Sequence, residues 1–359
     1  MRPEPSRCAA SSWRAQHTVG QGSLRGGYSA RCMSSPTHGI PAPRPATQSR
    51  GILVISGPTA GGKSALAMEI ARRVGGELVS ADSMQIYRGL DIGTAKPTTA
   101  ERAEIPHAML DVADPHGAGF TVADWLRGAE EAIADMHRRD RLPIIVGGTN
   151  LYLRAFFEGL DDAPQADLVF RASLETLSNE SLREHLLAVD PARAEEVHLN
   201  DRRRTIRALE VHHLTGKPMS AITTQWDDAS PRVQREGVRV VVLDWPTPLI
   251  NRRINARVKS MMADGFLEEV RALLAHAPLG RQAAEAVGYR ELSAVLARTM
   301  RLEDAFEAIK IRTRQYAKQQ RVWMRRFETM PEVLKLDASI LDTSALADRV
   351  LEAHGSFPV

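Results

Sequence analysis

From Gly51 onward, short apolar runs alternate along the chain with stretches of helical periodicity. The apolar runs are nearly continuous, which is typical of strands that are buried on both faces of a parallel sheet. Five runs have this character: GILVIS, ELVSAD, HAMLDV, PIIVGGT and VRVVVLDW. The pattern therefore predicts an α/β fold in which crossover helices cover a parallel sheet.

The alternation is interrupted between about residues 158 and 226, where helical patterns follow one another without a strand. We interpret this region as a helical insertion domain that divides the sheet core into residues 51–157 and 227–335. A second helical stretch follows the last predicted strand and forms a helical C-terminal region. We predict a C-terminal tail over residues 336–359.

The first 50 residues are rich in Arg, Ser, Gly and Pro and have no hydrophobic periodicity, so we predict a disordered extension. A transit peptide fits this composition, and so does an upstream-extended start with Met33 as the true initiator. Cys8 and Cys32 both lie in this extension. The folded part therefore has no cysteine for a disulfide or for a zinc site.

Composition limits the partners of the chain. The hydrophobic fraction of 43% allows a real core, and no run approaches the roughly 20 apolar residues of a membrane span. The first 50 residues carry seven Arg and one Glu, and the rest carries 40 basic and 43 acidic side chains, a net of −3. Any RNA-binding surface must therefore be a local basic patch. We expect a monomeric, cytoplasmic protein with no membrane partner.

A phosphate-binding motif, G-x-x-x-x-G-K-[ST], follows the first predicted strand and opens a helix, which is the context that a P-loop requires. The motif comprises Gly57, Pro58, Thr59, Ala60, Gly61, Gly62, Lys63 and Ser64. Its backbone N–H groups and Lys63 are predicted to bind phosphate oxygens, and Ser64 to bind Mg²⁺. The motif predicts a P-loop NTPase-like core but does not identify the molecule that carries the phosphates.

Further polar residues follow the next strands. Asp82 comes after the second strand, and its position suits a helix N-cap, an Mg²⁺ ligand or a general base. Lys96 is a second cation that could reach the same phosphates, or else an ordinary loop lysine. Thr149 offers a hydroxyl after the two glycines that end the fourth strand. Asp111, in the predicted strand HAMLDV, could serve as a metal ligand.

Seven sequence blocks occur in an order that resembles the tRNA dimethylallyltransferase family. The blocks are GPTAGGKS, ADSMQIYRGLDIGTAKP, IPHAMLDVADP, VGGTNLY, HLNDRRRTIRALEV, AVGYRE and RTRQYAKQQRVWMRRF. The resemblance implies transfer of a dimethylallyl group from dimethylallyl diphosphate to the exocyclic amine of the adenosine 3′ to the anticodon. The P-loop would then bind the donor's diphosphate with Mg²⁺, rather than ATP.

The resemblance also implies roles for single residues. Asp82 would be the base for the adenine amine, Thr149 would lie near the bridging oxygen of the leaving group, and Arg290 would help to neutralise the diphosphate. An allylic diphosphate ionises readily when charge on its leaving group is stabilised, and Lys63, Lys96 and Arg290 suit that task.

Two basic segments are candidate RNA contacts. In the last helical stretch, Lys310, Arg314, Lys318, Arg321 and Arg325 fall on one helix face, opposite Ile309, Tyr316, Trp323 and Phe327. The second segment contains Arg203, Arg204 and Arg207. It lies in the helical insertion domain, which the resemblance implies binds the anticodon stem-loop. The residues implied to contact tRNA are Asp82, Ser83, Met84, Gln85, Arg203, Arg204, Thr205, Ile206, Arg207, Lys318, Arg321 and Arg325.

Three other functions stay open at this point. A small-molecule P-loop kinase or an adenylate isopentenyltransferase would share the phosphate loop but would not need two basic patches. A non-catalytic RNA-binding protein would need the patches but not Asp82 beside the loop.

Overall fold

The computed structural model describes five stretches of the chain: residues 51–160, 164, 166–222, 235–327 and 333–354. The predicted disordered extension lies outside them, as does the end of the predicted insertion near residue 226. Among the residues described, none of the helices is both long and apolar enough to cross a membrane.

Six strands form one sheet in which every neighbouring pair is parallel. The strands are β1 (Ile52–Ser56), β2 (Glu77–Ala81), β3 (His107–Ala108), β4 (Pro143–Gly147), β5 (Val238–Asp244) and β6 (Val333–Asp337). Their order across the sheet is β3-β2-β4-β1-β5-β6. The three central strands β1, β2 and β4 are buried along their whole length, which explains why their sequences are continuous apolar runs. The predicted α/β class with a P-loop-like parallel core is confirmed.

Helices cover the sheet and connect its strands. They are α1 (Lys63–Val74), α2 (Thr99–Glu104), α3 (Val122–Arg138), α4 (Asn150–Glu158), α5 (Leu168–Glu175), α6 (Asn179–Val189), α7 (Pro191–Glu196), α8 (Arg202–Thr215), α9 (Met219–Ile222), α10 (Thr247–Ala263), α11 (Phe266–His276), α12 (Arg281–Ala284), α13 (Tyr289–Leu296), α14 (Leu302–Phe327) and α15 (Thr343–His354). Successive residues of β1 alternate between two hydrophobic clusters, with Leu53 and Ile55 in one and Ile52 and Val54 in the other. The core therefore occupies both faces of the sheet.

The carboxyl ends of β1, β4 and β2 lie side by side, because β4 runs between the other two. The register pairs Ser56 with Gly147 and Ala81 with Gly147. A Cβ on Gly147 would lie 2.2 Å from the Ala81 carbonyl oxygen, so only glycine allows this approach. The segments that follow these three strands consequently meet at one edge of the sheet.

Five helices, α5 to α9, stand between β4 and β5 in the chain and pack around a small hydrophobic core of their own. Leu182, Leu186 and Leu209 contribute to that core. The helical content agrees with the pattern that predicted an insertion, while its extent as a domain over 158–226 stays a prediction.

The prediction of a tail over residues 336–359 is wrong for the part that the structure describes. β6 pairs with β5 along its length, and α15 packs against α1. The sequence VLKLD was missed because β6 is an edge strand whose side chains are only partly buried or exposed, so it lacks the apolar run of a central strand.

The predicted strand HAMLDV is also shorter than expected, since only His107–Ala108 pairs with β2. The backbone then leaves the extended region, with positive φ angles of 63° at Met109 and 56° at Asp111. After this short strand Met109 packs in the core, whereas Val112 is 44% exposed, so the apolar run does not continue the sheet.

The C-terminal segment should contribute to stability. Leu346 is only 6% exposed and belongs to the core cluster beside α1. We expect Leu346→Ala to lower the free energy of unfolding by about 2–5 kcal/mol in urea denaturation, because it leaves a cavity. Ile340→Ala is the matched control, since this side chain is 75% exposed and its loss should change stability by less than about 0.5 kcal/mol. Parent-like unfolding of both variants would contradict the assignment.

Candidate active site

The loop between β1 and α1 has the backbone geometry of a phosphate-binding loop. Ala60 and Gly62 have positive φ angles of 61° and 88°, and a Cβ on Gly61 would lie 2.8 Å from the Pro58 carbonyl oxygen. α1 begins at Lys63 with no side-chain cap and no acidic residue in its first turn. The N–H groups of that turn are therefore available to an anion.

Side chains from outside the loop hold its carbonyl groups. The Trp245 indole donates to the Gly61 carbonyl at 3.0 Å, and Arg253 Nε donates to the Ala60 carbonyl at 2.8 Å. The Arg253 guanidinium also stacks over the Trp245 ring at 4.7 Å. These contacts fix the loop from the side of α10 before any ligand binds.

Lys63 and Arg257 bring two positive charges to this helix end. The Lys63 ammonium donates to the Pro58 carbonyl at 2.9 Å. Burial and the nearby Arg257 lower the pKa of Lys63 to about 8, against the opposing attraction of Asp82. Burial also lowers the pKa of Arg257. Two partly desolvated cations beside a helix N-terminus suit a multiply charged anion. Sequence analysis missed Arg257, which lies far from the motif in the chain.

Asp82 and Thr149 lie together at the neighbouring strand ends. Asp82 Oδ1 accepts hydrogen bonds from the Met84 and Gln85 N–H groups at 2.9 and 3.4 Å, so the carboxylate closes a turn after β2. Thr149 Oγ1 accepts from the Ser83 N–H at 2.9 Å. The structure thus joins the predicted residues Asp82, Ser83 and Thr149, and it couples Asp82 electrostatically to Lys63.

Helix α14 contributes two residues that sequence analysis did not assign to the site. The Gln320 amide contacts both the phosphate loop and Gly148, at the end of β4. Tyr316, one turn earlier, has a hydroxyl next to the side chains of Thr149 and Gln320, and burial together with the charge of Asp82 raises the pKa of that hydroxyl. The helix that was predicted to bind RNA therefore also forms an inner wall of the site.

The turn formed by Asp82, Ser83, Met84 and Gln85 is partly exposed at every residue. The Gln85 amide accepts from the Ser80 hydroxyl at 3.0 Å and donates to the Thr94 and Ala95 carbonyls at 3.2 and 3.3 Å. The turn is thereby fixed to the loop that follows it. Its contact with tRNA stays a prediction.

Lys96 has a fully buried side chain that binds protein acceptors. Its ammonium donates to the Tyr87 carbonyl at 2.8 Å, to Asp91 at 2.6 Å and to Asp111 at 2.7 Å. Asp111 also pairs with Arg102, and although burial opposes it, the two cations hold the pKa of Asp111 below its usual range. The donors of Lys96 and the charge of Asp111 are thus used within the protein, which favours structural roles over the phosphate and metal roles considered from sequence.

Arg290 lies at the start of α13 and has an exposed guanidinium. That guanidinium is 3.5 Å from a Glu285 oxygen and 3.8 Å from a Glu291 oxygen. Its proposed action on the diphosphate stays a prediction, since the contacts described here are with acidic neighbours.

The cationic side chains on α14 differ in their surroundings: some are exposed and others bind neighbouring residues of the protein. Lys318 and Arg325 are exposed, whereas Arg314 and Arg321 each donate to a neutral side chain of α10, at 2.8 and 2.7 Å. Lys310 pairs with a glutamate of its own helix. On this face Lys318 and Arg325 are therefore the better candidates for phosphate contacts, and such contacts stay a prediction.

The opposite face of α14 packs largely as the pattern predicts. Ile309 and Phe327 are 2% and 3% exposed. Trp323 departs from the pattern because it is only half-buried, with the guanidinium carbons of Arg154 and Arg326 at 5.7 and 4.6 Å from its ring. Two cations therefore lie close to this ring.

The basic segment at the start of α8 likewise contains both exposed and buried residues. Arg203 and Arg204 are exposed. Thr205 and Ile206 are each 4% exposed, and Ile206 belongs to the core of the insertion. These two side chains pack inside the helical region, so their burial argues against the direct tRNA contacts that the resemblance implied.

Arg207 has an internal partner. Glu210 is fully buried, and its carboxylate pairs with both Arg207 and Arg171. These hydrogen bonds outweigh burial and keep the pKa of Glu210 below its usual range. Because breaking a buried pair leaves an uncompensated charge, Arg207 has a structural role in addition to any contact with RNA.

Metal binding at the loop would depend on the ligand. In the described parts of the chain, no group of three or more His, Cys, Asp or Glu side chains is arranged to hold a metal ion. Ser64 is exposed in the first turn of α1. A cation at this position would have to share its coordination with phosphate oxygens.

The sequence matches the model of the family described as IPP transferase over residues 85–327. A tRNA dimethylallyltransferase of Geobacter metallireducens is 46% identical over 282 residues, which cover 77% of this chain and 89% of the relative. A tRNA dimethylallyltransferase of Anaeromyxobacter dehalogenans is 41% identical over 305 residues, which cover 84% of this chain and 97% of the relative.

Solved structures agree with this match. The full-length tRNA isopentenylpyrophosphate transferase of Bacillus halodurans has a TM-score of 0.61 and 32% identity, covering 85% of this chain and 96% of its own. A eukaryotic dimethylallyltransferase acting on tRNA has a TM-score of 0.72 and 30% identity, covering 84% of this chain and 78% of its own. By sequence and by structure, this chain belongs to the IPP transferase family.

Proposed function

We propose that this protein transfers a dimethylallyl group from dimethylallyl diphosphate to the exocyclic amine of the adenosine 3′ to the anticodon in tRNA. The observation that carries the proposal is the convergence of the phosphate loop, Asp82 and Thr149 at three adjacent strand ends. An anion site beside a carboxylate and a hydroxyl is what substitution of an allylic diphosphate by an amine requires.

The donor's diphosphate binds at the N-terminus of α1, where Lys63 and Arg257 contribute positive charge. Ser64 and the diphosphate oxygens would hold Mg²⁺, which would neutralise part of the leaving group's charge. The Thr149 hydroxyl, which donates to Ser83 Oγ at 3.3 Å in the free protein, would donate to the bridging oxygen when the donor is bound. As the carbon–oxygen bond breaks, its electron pair leaves with the diphosphate, which these groups stabilise.

The acceptor amine approaches from the side of Asp82. The amine nitrogen forms the new bond to the allylic carbon, and Asp82 takes the proton that the nitrogen loses. Backbone N–H groups already bind Oδ1, which orients the carboxylate and leaves Oδ2 for the substrate. Adenine's amine is a weak nucleophile, so a positioned base has a large effect on its rate.

Two exposed surfaces suit the tRNA backbone: Lys318 and Arg325 on α14, and Arg203 and Arg204 on α8. We propose that the helical insertion grips the anticodon stem-loop while α14 follows the phosphates beside the active site. Exposed cations of this kind supply affinity without base specificity.

The direct test offers labelled dimethylallyl diphosphate together with either tRNA or AMP. We expect label in tRNA and none in AMP. Label in AMP alone would identify an adenylate isopentenyltransferase. Phosphate transfer from ATP to a small molecule would identify a kinase, and no transfer with tight tRNA binding would indicate a non-catalytic RNA-binding protein.

Asp82→Asn tests the base. Asparagine keeps an oxygen for the Met84 N–H but cannot accept the amine proton, so turnover should fall by about 10² or more. Dissociation constants for the donor, measured by calorimetry, should stay within about threefold of the parent. A parallel loss of donor binding would instead make Asp82 a metal ligand or a purely structural residue.

Lys63 should make diphosphate binding dependent on pH. In the free protein its pKa is about 8, and a bound anion should raise that pKa because opposite charge favours the protonated form. Near and above pH 8 binding should therefore take up a proton, and affinity should weaken as pH rises further. Calorimetry in buffers of different ionisation enthalpy measures this uptake. Lys63→Arg, which stays charged, should abolish it.

The exposed cations of α14 should affect only RNA binding. Replacing Lys318 and Arg325 by Gln should weaken binding to all tRNA substrates and flatten the dependence of log K on log salt by up to about two charges. The donor KM should be unchanged. The matched control replaces Arg127 and Arg138, which are 65% and 73% exposed on α3, and should leave the slope as it is. An unchanged slope in the α14 variant would rule out this face.

A further inference from the structure

Glu269 of α11 binds the backbone of the loop between β2 and α2. Its carboxylate accepts hydrogen bonds from three successive N–H groups, those of Asp91 at 3.1 Å, Ile92 at 2.7 Å and Gly93 at 3.2 Å. The Tyr289 hydroxyl donates to the same carboxylate at 2.6 Å. Successive backbone N–H groups of this kind form a concavity that binds an anion. In this loop the anion is a side chain of the protein itself.

The backbone of this loop also lies directly against α11. A Cβ on Gly93 would lie 2.2 Å from two ring carbons of Phe266, whose side chain is buried. Phe266 and Glu269 are three positions apart, so they are neighbours on the surface of α11. The ring fixes how closely the loop approaches the helix, and the carboxylate fixes the direction of its N–H groups.

The carbonyl groups that follow in the same loop reach the active site. Gln85 Nε2 donates to the Thr94 and Ala95 carbonyls at 3.2 and 3.3 Å. The backbone N–H of Gln85 in turn donates to Asp82 Oδ1 at 3.4 Å. On the other side, Arg257 donates to the Thr94 carbonyl at 3.4 Å. A continuous series of hydrogen bonds thus leads from the carboxylate on α11 to the proposed base.

We propose that Glu269 is a positioning residue that fixes the orientation of Asp82 through the 91–95 loop and Gln85. The proposal rests on the proposed function and adds the group that holds its base in place. Without the carboxylate, three N–H groups would lose their acceptor, and the carbonyls that hold the Gln85 amide would no longer be fixed. A reacting group that is misplaced by about 1 Å can lose up to about 10²-fold in rate.

The first test measures transfer to tRNA at saturating donor, together with binding of inorganic diphosphate. Glu269→Ala should lower turnover by about tenfold to 10²-fold. The calorimetric dissociation constant for diphosphate with Mg²⁺ should stay within about threefold of the parent, because the phosphate loop does not depend on this carboxylate. Added formate should restore turnover, since a small carboxylate can enter the vacated space and accept from the same N–H groups.

Glu269→Gln provides a second variant that keeps the size of the side chain. Its amide nitrogen cannot accept from the loop, so turnover should again fall, but formate should have no effect because the space is filled. Glu268→Ala is the matched control, since Glu268 is 65% exposed on the same helix. This control should keep the turnover of the parent. Thermal unfolding shows which variants are folded, and if the alanine variant is not, the glutamine variant carries the comparison.

A double-mutant cycle with Asp82→Asn separates positioning from general support of the fold. If Glu269 acts through Asp82, its substitution should lower turnover by less than about twofold once the base is absent. Equal losses with and without the base would overturn the inference, because Glu269 would then only stabilise the structure. Parent-like turnover of both Glu269 variants would overturn it as well, and would leave the proposed function intact. Absence of any transfer by the parent would instead remove the proposed function.

Discussion

The parallel direction of all six strands is the constraint on which the rest of this structure depends. Since every strand ends at the same edge of the sheet, residues that are far apart in the chain become neighbours there. The order β2-β4-β1 then decides which ends are adjacent. It brings the phosphate loop, Asp82 and Thr149 within one small region, with Thr149 in the middle. An antiparallel arrangement of the same strands would have distributed these groups over two edges.

Charge compensation distinguishes Lys96, which stabilises the fold, from Lys63, which suits a ligand. Lys96 has acceptors for all its donors and carboxylate partners on two sides. Lys63 instead faces a second cation and has a lowered pKa, so its charge is incompletely balanced in the free protein. The same comparison holds in the insertion, where Arg207 compensates a buried carboxylate and Arg203 remains exposed. A cation without an internal counter-charge is the better candidate for an anionic substrate.

Sequence analysis could locate the candidate site where its residues belong to a short, continuous segment. The phosphate loop, Asp82 and Thr149 were predicted because each stands next to a recognisable strand end. Gln320 was missed because its partner Thr59 is 261 positions away, and nothing local distinguishes it from the polar residues around it. Arg257 was missed for the same reason. β6 was overlooked because an edge strand does not need a continuous apolar sequence, and the burial of Lys96 depends on a carboxylate from another loop.

The close approach at Gly147 has a consequence for how this site can vary over evolution. The spacing between β2 and β4 at the active edge is set by a hydrogen atom in place of a methyl group. A residue larger than glycine would push apart the two backbones that carry Asp82 and Thr149, although neither side chain would have changed. The separation between Asp82 and Thr149 therefore depends on a glycine that contributes no side chain to the site. A substitution at Gly147 would therefore alter the site while leaving every side chain in it unchanged.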